Sequence, residues 1–122
     1  MKREAHGITN RNLSWLCREH YNGLMVVCTI RRAVRHSITN SVVNRYIQQE
    51  FFAHLDQHFR EEEAWLFPKL PATNALRIQT ERQHEKLRRM VSDTELLPED
   101  FANLLEEHIR FEERTLFPVF AK

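Results

Sequence analysis

His58 opens the stretch HFREEEAWLFPKL (58–70), and at an offset of 50 His108 opens HIRFEERTLFPVF (108–120). His, Arg, Glu, Glu, Leu, Phe and Pro coincide, seven identities in thirteen positions, which marks a duplicated structural unit. Within each copy the spacing is His-x-x-x-Glu, His58 with Glu62 and His108 with Glu112. On an α-helix, residues four apart lie one turn above each other on the same face. Each copy therefore presents an imidazole and a carboxylate together, as a helix would present two ligands to one metal ion.

The rest of the chain bounds what can surround these copies. With 122 residues, 42% of them hydrophobic, it can build one modest core, so we expect a single domain spanning residues 1–122. Eighteen basic and 17 acidic residues leave a formal charge of +1, which argues against nucleic acid or a membrane surface as partner. Two glycines, four prolines and no low-complexity run favour helices joined by short turns. The start, MKREAHGITNRN, is polar, and the longest apolar run, Leu24 to Cys28, is far too short for a signal segment or a membrane span, so a cytoplasmic location is expected. Cys17 and Cys28 sit eleven residues apart on one helix, out of each other's reach, and read as reduced core thiols.

Apolar periodicity suggests four helices. Their inward stripes carry Leu13, Leu16, His20, Leu24 and Val27; Ile47, Phe51, Leu55, His58, Glu62 and Leu66; Leu76, Thr80, His84, Leu87 and Val91; and Phe101, Leu104, Leu105, His108, Glu112 and Leu116. Every stripe holds a histidine. If the four histidines share one height in an antiparallel up-down-up-down bundle, the turns fall midway between them, at positions 39, 71 and 96. Position 39 opens Thr39-Asn40-Ser41, 71 is a proline beside Thr73 and Asn74, and 96 lies just before Pro98, Glu99 and Asp100. Each midpoint meets turn or cap chemistry. The expected class is all-α, an antiparallel up-down-up-down four-helix bundle with one polar layer. The histidine spacings, 38 residues in the first hairpin and 24 in the second, make the first hairpin longer, with Arg31, Arg32, Arg35 and Arg45 at an exposed basic tip.

That layer contains His20, His58, Glu62, His84, His108 and Glu112. Left unpaired inside a core, each such group costs roughly 1–3 kcal/mol. Carboxylates that bridge two cations, with imidazoles completing each coordination sphere, suit a dinuclear centre of iron or manganese better than zinc. The natural division is two histidines per ion, both glutamates bridging and an oxygen bridge from solvent, which leaves a position open on each ion. Around the layer, Glu61, Glu63 and Glu113 read as solvated charges paired with arginines. His54, one turn before His58, reads as an outer partner or pocket residue rather than a fifth histidine ligand. Tyr21 belongs at the rim, and His6 and His36 at the surface.

These residues give the chain a family resemblance. From LSWLCREHYNGL (13–24) through HFREEEAWLFP, the RQHEKL around His84 and HIRFEERTLFP, it resembles a hemerythrin-like domain of the HHE cation-binding type. The doubled His-x-x-x-Glu followed by Leu-Phe-Pro carries most of that likeness. The resemblance implies a four-helix bundle around two non-haem iron ions with an oxo or hydroxo bridge, rather than manganese or zinc, held by His20, His58, Glu62, His84, His108 and Glu112. Oxygen-carrying hemerythrins have a fifth histidine one turn from the third-helix ligand and an aspartate on the fourth helix. Here Thr80 and Arg88 flank His84, and the fourth helix offers Glu112. The set is closer to relatives linked to iron handling, nitric oxide and redox sensing. The expected function is binding or sensing of oxygen, nitric oxide or peroxide with redox chemistry, acting through a redox or effector protein. The alternatives are iron storage, iron delivery or iron-sulfur repair, and a peroxide or nitric oxide reductase, for which no flavin or nicotinamide motif is present.

Overall fold

The computed structural model describes residues 10–121, which form four helices and no strand. The first helix is α1, Asn10–Arg35. The second runs through α2, Asn40–Glu50, a π-helical turn, Phe51–Leu55, and α3, Asp56–Trp65, with a short 3-10 turn, Phe67–Lys69, after it. The third is α4, Ala75–Val91. The fourth is α5, Pro98–Phe111, continued by a π turn, Glu112–Leu116, and α6, Phe117–Phe120. The expected all-α class is met, whereas the π turns leave no mark in the apolar periodicity. His6 lies outside the described residues.

Local chemistry sets the ends. α1 closes with Ile38 N–H donating to the Ala33 carbonyl and Ser37 N–H to the Val34 carbonyl, both at 3.0 Å. This closure needs a left-handed residue, usually glycine, and Ser37 supplies it at φ 61°. Thr39 starts α2 through its extended backbone, and its hydroxyl makes no capping bond. Asn74 does cap α4, its Oδ1 accepting from Leu76 N–H at 2.9 Å and Arg77 N–H at 3.0 Å. Pro98 stands in the first turn of α5, with Glu99 and Asp100 at the positive end of its dipole.

The first helix packs most extensively on the fourth. Gly23 permits that approach, because a Cβ there would lie 2.8 Å from Ile109 Cδ1. The apolar core comes in two pieces. The larger gathers residues such as Val26, Ile30, Ile47, Leu55, Phe59, Leu87, Phe101 and Leu105, and the smaller Leu16, Leu66, Phe67, Leu116, Phe117 and Phe120. Along the first helix His20 falls between Leu16 and Val26, and along the fourth Glu112 falls between Ile109 and Leu116, so the polar layer divides the core.

The first hairpin meets the loop after the third helix where Asn44 Nδ2 donates to the Leu96 carbonyl at 2.9 Å. Arg32, Arg35 and Arg45 are exposed near its end, as expected for a basic tip. Arg31 is not part of it, since its guanidinium donates to Glu106 at 2.7 Å and Asn103 at 2.9 Å on the fourth helix. Among the described residues no helix is long and apolar enough to cross a membrane.

Candidate metal centre

The four helices deliver six polar side chains to one buried layer. α1 supplies His20, α3 His58 and Glu62, α4 His84, α5 His108, and the π turn that follows supplies Glu112. None is more than 6% exposed. They form two sets of four, His20, His58, Glu62, Glu112 and Glu62, His84, His108, Glu112, within each of which one donor atom per residue lies within 4.8 Å of the others. Both carboxylates belong to both sets.

The distances follow the duplication. His20 Nε2 lies 2.8 Å from Glu112 Oε1 and His84 Nε2 2.8 Å from Glu62 Oε1. His58 Nε2 lies 3.0 Å from Glu62 Oε2 and His108 Nε2 3.0 Å from Glu112 Oε2. These last four atoms are buried without a hydrogen-bond partner, because the one-turn pairs lack the alignment for one. Each pair thus stands at ion-pair distance without hydrogen-bond geometry. A cation between them would relieve all four, and a donor set of imidazole nitrogen and carboxylate oxygen is chemically suited to hold it.

The far sides of the rings are held as well. His20 Nδ1 is 3.0 Å from Glu113, His58 Nδ1 2.9 Å from Glu19, His84 Nδ1 2.8 Å from Glu63 and His108 Nδ1 2.6 Å from Gln83. Acceptors at Nδ1 orient each ring and aim Nε2 inward. The Leu-Phe-Pro ending of each copy has a matching role: Phe117 stacks on His20 and Phe67 on His84, with interplanar angles of 11° and 20°. Leu66 and Leu116 are fully buried beside them.

Charge is concentrated here. Burial disfavours a proton on His20, but its hydrogen bond to Glu112 and the neighbouring carboxylates outweigh burial and push it up to about 9. Burial opposes the charge on His58 too, and the charge of Glu62 with the hydrogen bond to Glu19 lifts it to about 11. Against the same penalty, the charge of Glu112 raises His108 to about 9. Burial would raise Glu62, yet the charge of His58 leads a set of imidazole interactions that hold it well below the usual carboxylate range.

All six residues expected in the layer are brought together, but several neighbours read otherwise than expected. His54 is exposed, because the next residue, Leu55, occupies the inward place. Cys17 and Cys28 are exposed rather than core thiols, each lying just past a buried residue, Leu16 and Val27, that takes the interior position. Burial, followed by the charges of Glu113 and Glu112, raises the Cys17 thiol and disfavours a thiolate ligand. Glu63 does pair with an arginine, Arg88, at 2.7 Å, but it also holds His84, while Glu113 holds His20 and Glu61 accepts from the Trp15 indole at 3.0 Å. Tyr21 and His36 are exposed, and Thr80 is buried with its hydroxyl donating to the Leu76 carbonyl at 2.8 Å. Sequence reasoning missed the Nδ1 acceptors. A signal existed: Glu63 and Glu113 coincide in the two copies, and Glu19 and Gln83 each directly precede a layer histidine.

The hemerythrin HHE cation binding domain model matches residues 18–120. No curated protein and no solved structure gives a significant match. The matched span holds both cassettes and all six layer residues, and its two His-x-x-x-Glu pairs feed the two four-donor clusters that share Glu62 and Glu112. The chain belongs to the hemerythrin HHE cation-binding domain family.

Proposed function

We propose that this protein is a non-haem di-iron protein that binds or senses oxygen, nitric oxide or peroxide with redox chemistry. In this reading His20 and His58 hold one iron, His84 and His108 the other, Glu62 and Glu112 reach both, and a solvent-derived oxo or hydroxo bridge completes the centre. The observation that carries it is the pair of four-donor sets sharing both carboxylates, with four donor atoms otherwise orphaned. When bound, such a centre supplies one-electron redox chemistry and affinity for small oxygen and nitrogen ligands. The protein's own residues set the terms. Layer residues no more than 6% exposed admit small molecules and exclude bulky ones. The Nδ1 acceptors fix each imidazole, and Phe59, Phe67 and Phe117 shield the rings from water.

The same proposal takes residues 1–122 as one domain with an up-down-up-down antiparallel course. Contact order supports that course. On the first and fourth helices His20 pairs with Glu112 and Arg31 with Asn103; on the first and second, Trp15 pairs with Glu61 and Glu19 with His58; on the second and third, Gln48 pairs with Val91 and Glu62 with His84. In each pair, numbers rise on one helix as they fall on the other.

The deciding experiment is metal content and absorption of anaerobically purified protein, before and after oxygen, nitric oxide and peroxide. Two irons per chain and an oxo-to-iron charge-transfer band after oxidation are the expected results. Stoichiometric zinc after iron-replete expression, without that band, would overturn the reading. Rapid loss of iron to a chelator would favour delivery, and sustained consumption of peroxide or nitric oxide with an added electron donor would favour a reductase.

A further inference from the structure

The duplication makes the two halves of the centre near copies, and they part at the residues behind the imidazoles. In the His20/His58 half both Nδ1 atoms face carboxylates, Glu113 at 3.0 Å and Glu19 at 2.9 Å. Among the described residues no lysine or arginine forms an ion pair with either. In the other half, His84 faces Glu63 at 2.8 Å, but the two oxygens of Glu63 also accept from Arg88 at 2.7 and 3.2 Å. His108 faces an amide oxygen, that of Gln83, at 2.6 Å. Glu19 and Gln83 occupy equivalent places: each directly precedes a layer histidine, and each serves the histidine of the next helix.

This difference has a direction. A carboxylate accepting an imidazole N–H raises the basicity of the ring and strengthens Nε2 as a donor. A neutral amide does so less, and a carboxylate already bound by a guanidinium has less charge to lend. The Nδ1 partners of the first half carry two formal negative charges, and those of the second one, which Arg88, shared with Asp56 at 3.2 Å, offsets in part. The inward donors are matched, two histidines and the same two glutamates on each side. What separates the halves is therefore the outer partners.

We propose that the two halves bind cations unequally: once competition from protons is corrected for, the His20/His58 half has the higher intrinsic affinity for a divalent cation, and the His84/His108 half, backed by Gln83 and the Arg88-bound Glu63, the lower. The inference rests on the dinuclear reading above. Glu19 and Gln83 are positioning residues that act through the histidines, and outer partners of this kind change metal affinity by about 10- to 100-fold.

The test uses metal-free protein titrated anaerobically with Co(II), followed by the cobalt d–d bands and by calorimetry in two buffers of different protonation enthalpy, so that the protons released at each step are counted and each constant is corrected for them. Two binding steps are expected. Repulsion between two cations would split the steps of identical halves as well, so the assignment comes from two near-isosteric variants, with helicity checked by circular dichroism. Gln83→Glu should tighten the weaker step about tenfold or more, shift the cobalt bands of that step and leave the tighter step alone. Glu19→Gln should weaken the tighter step and its bands. A folding defect would weaken both steps in either variant and cannot tighten one. If Gln83→Glu leaves both constants unmoved, or moves the tighter step, while the wild type still takes two cations, this inference fails and the dinuclear reading stands. Uptake of fewer than two cations by the wild type overturns both.

Discussion

Loading the centre must expel protons, because cations and protons compete for the same nitrogens. In the metal-free fold His20 and His108 lie at about 9 and His58 at about 11, so at pH 7 each carries a proton. A metal-binding imidazole has to give that proton up. At about 1.4 kcal/mol per pH unit, deprotonation at pH 7 costs about 3 kcal/mol for each of His20 and His108 and about 5 kcal/mol for His58. Filling both halves at pH 7 should release about three protons. The product of the two binding constants should then rise by up to about a thousandfold per pH unit until the pH nears 9. Calorimetric titration with Co(II) in two buffers of different protonation enthalpy counts those protons directly. Release of fewer than one proton, or an affinity that is flat between pH 6.5 and 8.5, would refute this account of the layer.

Without a cation the same groups should give stability the opposite slope. The raised imidazoles stabilise the fold fully below their ordinary value of 6.5 and lose that contribution as pH climbs through 9 to 11; Glu62 contributes above 4.5 and fails as pH falls below it. Melting of chelator-treated protein should therefore peak between about pH 4.5 and 6.5 and decline toward pH 9, whereas cation-loaded protein should resist that decline, as thermal scans across the range would check. Ser37→Gly removes a left-handed Cβ, worth about 1–2 kcal/mol, against glycine's entropy of about 0.5–1 kcal/mol, so chemical denaturation should show a gain of roughly 0.5–1 kcal/mol. His54→Ala changes an exposed side chain and should leave metal content and spectrum as in the wild type; loss of half the metal would restore His54 as a ligand.

The sequence made the layer legible because its residues obey two constraints at once. A histidine had to lie on each apolar stripe, and all four had to share one height between plausible turns; His20, His58, His84 and His108 satisfy both, and they meet. Where only one constraint applies, the expectation and the structure part. Spacing alone, four residues from His58, points His54 inward, but Leu55 takes that interior place and His54 is exposed. Residue type alone points Cys17 and Cys28 to the core, but Leu16 and Val27 hold the inward positions beside them. The π turns Phe51–Leu55 and Glu112–Leu116 each add a residue to one turn, and the inward stripe absorbs it in spacings of four that an α-helix also allows, so the apolar period alone does not reveal them.

The outer acceptors were hard to read for a deeper reason: each lies on a different helix from the histidine it serves. Glu113 on the fourth helix holds His20 on the first, Glu19 on the first holds His58 on the second, Glu63 on the second holds His84 on the third, and Gln83 on the third holds His108 on the fourth. The four bonds close a ring around the bundle. Inside it, Glu112 ties the fourth helix to His20 and Glu62 ties the second to His84. Sliding any one helix by a turn, about 5.4 Å, would break two bonds of the ring and orphan buried polar atoms on both neighbours. Apolar contacts resist such slips weakly, because one leucine can replace another at the next turn. A cross-linked polar layer is more selective, as a buried polar residue is when it fixes the register of a coiled coil. The layer therefore sets the alignment of the helices, and that alignment in turn brings both glutamates within reach of both histidine pairs.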